Sequence, residues 1–292
     1  AEATGADAGA WAAADVDDWH RAAADELLSG ENSVVILGAL SAAHPDASSL
    51  RACAARIAEM AGASAGMLGT GANQAGAALA GMLPHRGPGA VPSNTPGSNA
   101  REMLARPRKA YILLGVEPEL DCLEGQGALD AISGAQCVVS LCGYDTESAR
   151  QYADALLPIA QFAETDGSLV NASGQWQSYN AAVSPPGEAR PAWKVLRVLG
   201  NVFELDGFEY MRSEVVRDEV RGQCEGVAMA GLTVADAIQA GATSDALWRC
   251  GDVPIYATDA LVRRAPALQR TLDGMAPIVA RLNPADAERL GL

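Results

Sequence analysis

The sequence predicts an α/β fold: a largely parallel β-sheet flanked by helices, with a β-hairpin excursion and a mostly helical or irregular C-terminal tail. Three observations predict it. Short, continuous apolar runs recur along the first half of the chain, among them SVVILG (33–38), AYILLG (110–115) and QCVVSLCG (136–143). Helix-period segments separate these runs, and strands alternating with helices imply parallel pairing through right-handed crossovers. After residue 160 the texture changes to SLVNASGQWQSY (168–179), two strand-like runs around a turn in which Gly174 can take a positive φ.

The elements follow in order. Residues 1–10 read as a linker, and 11–28 as a helix with Trp11, Val16, Trp19, Ala23 and Leu27 at helical spacing. After the strand at 33–38, residues 46–61 form a helix pattern with Leu50, Cys53, Ala54, Ile57 and Met60 along one face. SAGMLG (64–69) reads as another short strand. The Gly-, Pro- and Asn-rich stretch 69–100 holds one short helix near 74–82. Beyond the strand at 110–115, a helix is expected near 125–133, and beyond the strand at 136–143 another near 146–152, then ADALLP (153–158). Continuous apolar strands suit a sheet covered on both faces, a Rossmann-like arrangement. Past the hairpin, Ser184-Pro185-Pro186-Gly187 forces a turn. Pro191 suits the first turn of a helix through 203, with Trp193, Leu196, Leu199 and Phe203 on one face. Weaker helices are expected over 211–222 and 233–240.

Composition narrows the function. The 292 residues suffice for one large or two ordinary domains at roughly 100–200 residues each. With 36 acidic against 21 basic residues, the net charge of −15 disfavours phosphate backbones and anionic membrane surfaces, so nucleic acid is not an expected partner. No apolar run approaches the length of a membrane span, so no direct membrane insertion is expected. Six cysteines without a C-x-x-C pair and three scattered histidines give no metal-ligand spacing, and the thiols read as structural in a reducing cytoplasm. The chain starts inside an acidic Ala/Gly stretch without a Met, which reads as a piece of something longer.

Candidate chemistry is sparse. Strands end at Gly38, Gly69, Gly115 and Gly143, and ligands of open parallel sheets sit beyond the carboxyl ends of strands. GTGANQAGAALAG (69–81) lacks the lysine of a phosphate loop and the spacing of G-x-G-x-x-G. Glu164 and Asp166 in ETDG suit turn chemistry. Glu117, just past a strand, is placed either to face a ligand or to be a solvated loop acid. Arg263 and Arg264 could bind an anion or pair with acids, the second being the commoner fate. No Ser/His/Asp or Cys/His order recommends itself, so no catalytic residue is expected.

The run 153–200 resembles the molybdopterin oxidoreductase superfamily. The resemblance rests on Leu157, Pro158, Glu164, Asp166, Gly167, Asn171, Gly174, Gln177, Pro186, Gly187, Glu188, Ala189, Pro191 and Trp193, all in the family's order. Upstream, Asn73, Gly76, Ala77 and Gly81 resemble its Asn-x-x-Gly-Ala-x-x-x-Gly loop, and Gly115, Glu117 and Pro118 its Gly-x-x-Pro turn. Trp193–Gly200 and IYATDALVRRAPALQRT are similar to the family of large iron–sulfur subunits of bacterial respiratory NADH-quinone oxidoreductase (complex I).

That resemblance implies a linker and helix at 1–30, a molybdopterin oxidoreductase-like α/β domain at 31–202, and a helical or irregular extension at 203–292 cut before the family's C-terminal barrel. It implies a structural, non-catalytic domain of a subunit that passes electrons from NADH toward quinone. No cofactor would sit in this segment; iron–sulfur clusters would lie in the N-terminal part of the parent. Gly71, Asn73, Gln74, Gly115 and Glu117 would line a vestigial pterin-dinucleotide groove. The implied partners are the parent's cluster-bearing region and other peripheral-arm subunits of complex I, on the cytoplasmic face of the inner membrane. Two alternatives stand beside this: a pterin-dinucleotide-binding fragment of a true molybdenum oxidoreductase such as a formate dehydrogenase, and a stand-alone nucleotide-binding module.

Overall fold

The computed structural model describes residues 4–5, 15–227, 232, 247, 251, 254–277 and 279–292. The order is α1 (Asp18–Ser29), β1 (Val34–Leu37), α2 (Ala39–Ala43), α3 (Ala47–Ala61), β2 (Ser64–Met67), α4 (Gln74–Leu79), α5 (Ala100–Ala105), β3 (Ala110–Leu114), α6 (Pro118–Asp121), α7 (Gly125–Ser133), β4 (Cys137–Cys142), α8 (Glu147–Tyr152), β5 (Ala155–Pro158), β6 (Gly167–Val170) and β7 (Trp176–Tyr179). Helices α9 (Ala192–Val202), α10 (Ser213–Gln223), α11 (Ala260–Arg263), α12 (Pro266–Gln269) and α13 (Pro284–Leu290) follow.

The predicted α/β fold is the one observed. β1 pairs in parallel with β2, and β3, β4 and β5 form a second parallel sheet in that order. β6 and β7 form the antiparallel hairpin, Gly167 opposite Tyr179 and Val170 opposite Trp176. Its turn uses Gly174 at φ 78°, a conformation that costs a side-chain-bearing residue about 1–2 kcal/mol. The helix expected at 11–28 starts at Asp18, where the Asp17 carboxylate accepts the His20 N–H at 3.0 Å and caps it; residues 11–14 lie outside the described part. The helix expected at 233–240 also lies outside it.

The parallel sheets carry the core. Tyr111, Ile132 and Val138 are its buried centre, with Met103, Leu104, Leu113 and Tyr152 packed around them. The Tyr111 hydroxyl donates to the Met103 carbonyl at 3.1 Å, which satisfies the one polar atom that this ring buries. Covering of both faces holds for the central strand, where Val138 and Ser140 are buried on one side and Leu141 on the other. It fails for the edge strands, since Ile36 and Ile112 remain 57% and 54% exposed.

Two helix faces match expectation in part: Leu50, Cys53, Ala54 and Met60 of α3 and Trp193, Leu196 and Leu199 of α9 are buried or half-buried, and one residue expected on each face is not. α3 buries Ala52, Ala54, Ala55 and Ala58, while Ile57 is exposed. Alanines let the helix axis approach β1 and β2 closely, and interaxial spacing follows side-chain size. In α9 the buried position is Gly200, where a Cβ would sit 2.1 Å from the Phe208 ring, and Phe203 points outward. Pro191 caps α9 rather than entering it, its carbonyl accepting from Lys194 N at 2.9 Å. Among the described residues the short helices α2, α5 and α6 add to the expected set, and α11, α12 and α13 fall in the tail expected only as mostly helical or irregular. α5 is announced by Asn99 and Glu102, which exchange capping bonds at 2.9 and 3.2 Å.

Candidate functional site

The candidate site lies beyond the carboxyl ends of β2 and β3, where the sequence places Gly71, Asn73, Gln74, Gly115 and Glu117. Each is set by local bonding. Gln74 opens α4 and its Oε1 accepts the Thr70 N–H at 3.0 Å, closing the glycine loop on itself. The Gly71 carbonyl accepts from Gln74 N at 3.2 Å. Asn73 Oδ1 accepts the buried Val170 N–H at 2.8 Å, a bond that ties the loop to the hairpin 97 positions away. A Cβ on Gly76 would lie 2.1 Å from that same Oδ1, which explains why Asn and Gly stand three apart. Gly81 takes φ 82°, and a Cβ there would stand 2.7 Å from the Gly87–Pro88 backbone.

At the end of β3, Gly115 takes φ 61° and donates to the Leu141 carbonyl at 2.8 Å. The chain then turns into α6, with Pro118 at its first position. Glu117 is not a solvated loop acid: it is 7% exposed and sits in an ion-pair network. Its Oε1 accepts from Arg264 Nη2 at 2.6 Å, and its Oε2 from Arg263 Nη2 at 2.7 Å and Arg264 Nη1 at 3.1 Å. Arg263 Nη1 also donates to Asp121 Oδ1 at 2.7 Å, and Asp121 Oδ2 accepts the Glu117 N–H at 2.7 Å. The Arg264 guanidinium stacks 4.5 Å over the Tyr144 ring.

This arrangement decides between the two fates of the arginine pair: they hold acids of the same chain. Burial works against the Arg263 charge, but Asp121 and Glu117 outweigh it and hold its pKa above the ordinary arginine value. Burial, reinforced by Glu119, Cys142, Glu117 and Asp121, pushes the neighbouring Tyr152 phenol up to about 12. The thiols of Cys53, Cys122 and Cys142 are pushed up chiefly by burial, so they are neutral at physiological pH and poor nucleophiles. Among the described residues no three His, Cys, Asp or Glu side chains converge as metal ligands.

The five expected residues thus form two sets, Gly71–Asn73–Gln74 and Gly115–Glu117. No hydrogen bond or ion pair joins the sets among the described residues. Asp121 and Tyr144 belong to the Glu117 network, and no sequence signal marks either of them. The sequence signals for that network are the position of Glu117 just past a strand and the adjacent arginines.

The signature residues at 153–200 build the hairpin and its flanks. Glu164 Oε2 accepts the Gln161 N–H at 2.8 Å, and Asp166 accepts from the Ser213 hydroxyl of α10. Asn171 Oδ1 accepts the Ser173 and Gln175 N–H groups, both at 3.0 Å, and so shapes the turn. A Cβ on Gly167 would meet the Tyr179 hydroxyl at 2.6 Å.

The model of the molybdopterin oxidoreductase family matches residues 9–202, about two thirds of the chain. The chain belongs to the molybdopterin oxidoreductase family. Its relatives span several oxidoreductases. It is 32% identical over 78 residues to the mitochondrial NADH-ubiquinone oxidoreductase 78 kDa subunit of Candida albicans, 27% of this chain and 10% of the relative. It is 29% identical over 187 residues to the F420-dependent formate dehydrogenase 1 subunit alpha of Methanococcus maripaludis, 56% of this chain and 27% of the relative. To the nitrate reductase of Synechocystis it is 26% identical over 129 residues, 42% of this chain and 18% of the relative. The chain therefore aligns with only a small part of each of these family members. Among the described residues no helix is long and apolar enough to cross a membrane.

Proposed function

We propose that the chain is a structural, non-catalytic part of an electron-transfer oxidoreductase, the large iron–sulfur subunit of a respiratory NADH-quinone oxidoreductase. The parent passes electrons from NADH toward quinone through clusters that other parts of the assembly hold. This segment supports the cluster-bearing region of its own chain and the adjoining peripheral-arm subunits, on the cytoplasmic face of the membrane.

The Glu117 network carries the reading. A pterin dinucleotide brings a pyrophosphate, which needs free N–H donors or cations. Here the arginines at the strand end are taken up by Glu117 and Asp121, and the strand end itself presents a carboxylate. Residues so arranged do not fit the dinucleotide, and the groove is read as a vestige. The similarity to the 78 kDa subunit supports the choice of parent.

A second reading has its own support: the formate dehydrogenase alignment covers more of this chain than the 78 kDa one. In that reading the segment is the pterin-dinucleotide-binding part of a molybdenum oxidoreductase. Capturing the full-length protein with its native assembly and assaying substrate-dependent quinone reduction separates them. NADH-driven, formate-independent reduction is expected. Formate-driven reduction without NADH would overturn the proposal.

A further inference from the structure

We infer that residues 255–269 form a releasable strap, latched by Arg263 and Arg264 onto Glu117 and Asp121, that seals the crevice at the carboxyl ends of β3 and β4. The inference rests on reading that crevice as closed to a cofactor, and adds how it is closed.

The strap is a preformed unit. Asp259 caps α11 by accepting the Leu261 and Val262 N–H groups at 2.8 and 2.9 Å. Gln269 Nε2 donates to the carbonyls of Tyr256 and Val262, both at 2.9 Å, clamping the two ends of the segment together. Arg263 and Arg264 also brace it, donating to Ala257 and Ala260 carbonyls at 3.1 Å each. Both guanidiniums therefore leave the strap already oriented.

The latch is ionic rather than apolar. Neither α11 nor α12 buries a residue, and Ile255 and Leu261 remain 65% and 45% exposed. At the crevice the contacts are the reverse: Arg263 and Glu117 are 12% and 9% exposed at the side chain and meet at 2.7 Å. A segment held by two charged forks and little apolar area is bound by the interactions that are most sensitive to removing one partner. Release would bare Glu117 and Asp121 together and leave an acidic crevice in place of a neutral seam.

Hydrogen exchange on the full-length protein tests this. In the double variant Arg263→Gln/Arg264→Gln, amides of 115–121 and 255–269 are expected to exchange about a hundredfold faster, with the hairpin at 167–179 unchanged. Arg264→Lys, which keeps the charge but loses the fork, should accelerate the same two segments by less. Arg289→Gln, at the exposed pair with Asp286, should change neither. Unchanged exchange at 115–121 in the double variant would overturn the strap, as would equal acceleration in the hairpin. Both readouts are independent of metal content and of the substrate of the parent, so a failed strap and a failed functional assignment are told apart.

Discussion

Replacing Gly76 by alanine tests the account of the glycine loop. The new Cβ would stand 2.1 Å from Asn73 Oδ1, so the Asn73 side chain must move. Movement breaks its 2.8 Å bond to Val170 N, and Val170 is only 2% exposed. An unsatisfied buried N–H costs about 1–3 kcal/mol, whereas alanine in a helix gains up to about 1 kcal/mol over glycine. The informative quantity is therefore the coupling. In the native background, exchange of the Val170 amide should rise by about fivefold to about a hundredfold, at 1.4 kcal/mol per factor of ten. In an Asn73→Ala background the clash and the bond are both gone, and Gly76→Ala should leave exchange unchanged or slow it. The assay is native-state hydrogen exchange on the four members of the cycle. Equal effects of Gly76→Ala in both backgrounds would mean that the Asn73–Val170 bond does not require a glycine at 76.

The Glu117 network and the phenol beside it give two more tests. Glu117→Gln takes the carboxylate from Arg264 and leaves Arg263 with Asp121 alone, and should destabilise the segment by about 3 kcal/mol in denaturant unfolding; Asp145→Asn, at the exposed pair with Arg150, should leave the midpoint unchanged. The Tyr152 phenol, raised from 10.0 to about 12, binds its proton more tightly in the folded state. Its contribution is fully present below pH 10 and is lost as the pH rises to about 12, so Tyr152→Phe should flatten the alkaline stability profile in that window. A phenol titrating near 10 by its absorbance would contradict the burial of Tyr152.

The parallel strands are legible because each lies in a short apolar run closed by glycine or proline, and β3 and β4 fall inside the runs read for them. The hairpin is legible through Gly174, whose turn needs the positive φ it adopts. The packing face of α3 is legible only in part. In an alanine-rich chain the stripe Ala52, Ala55 and Ala58 carries no contrast against its surroundings, so the larger Ile57 draws the face to itself. α5 is hidden by its length of six residues among prolines and glycines, although Asn99 and Glu102 announce its cap. The site is half legible. Position singles out Glu117 and adjacency singles out Arg263 and Arg264, but their pairing spans 146 positions and nothing local encodes it. The signature at 153–200 marks the family through residues that shape a hairpin, so it identifies the fold more sharply than the chemistry.

The most direct measurement is metal content of the full-length protein purified from its source, with iron and molybdenum determined together. Iron without molybdenum is the expected result, that of a cluster-bearing subunit if the proposed pterin groove is a relic. Stoichiometric molybdenum would contradict that proposal and would make the loop at Asn73 a cofactor site.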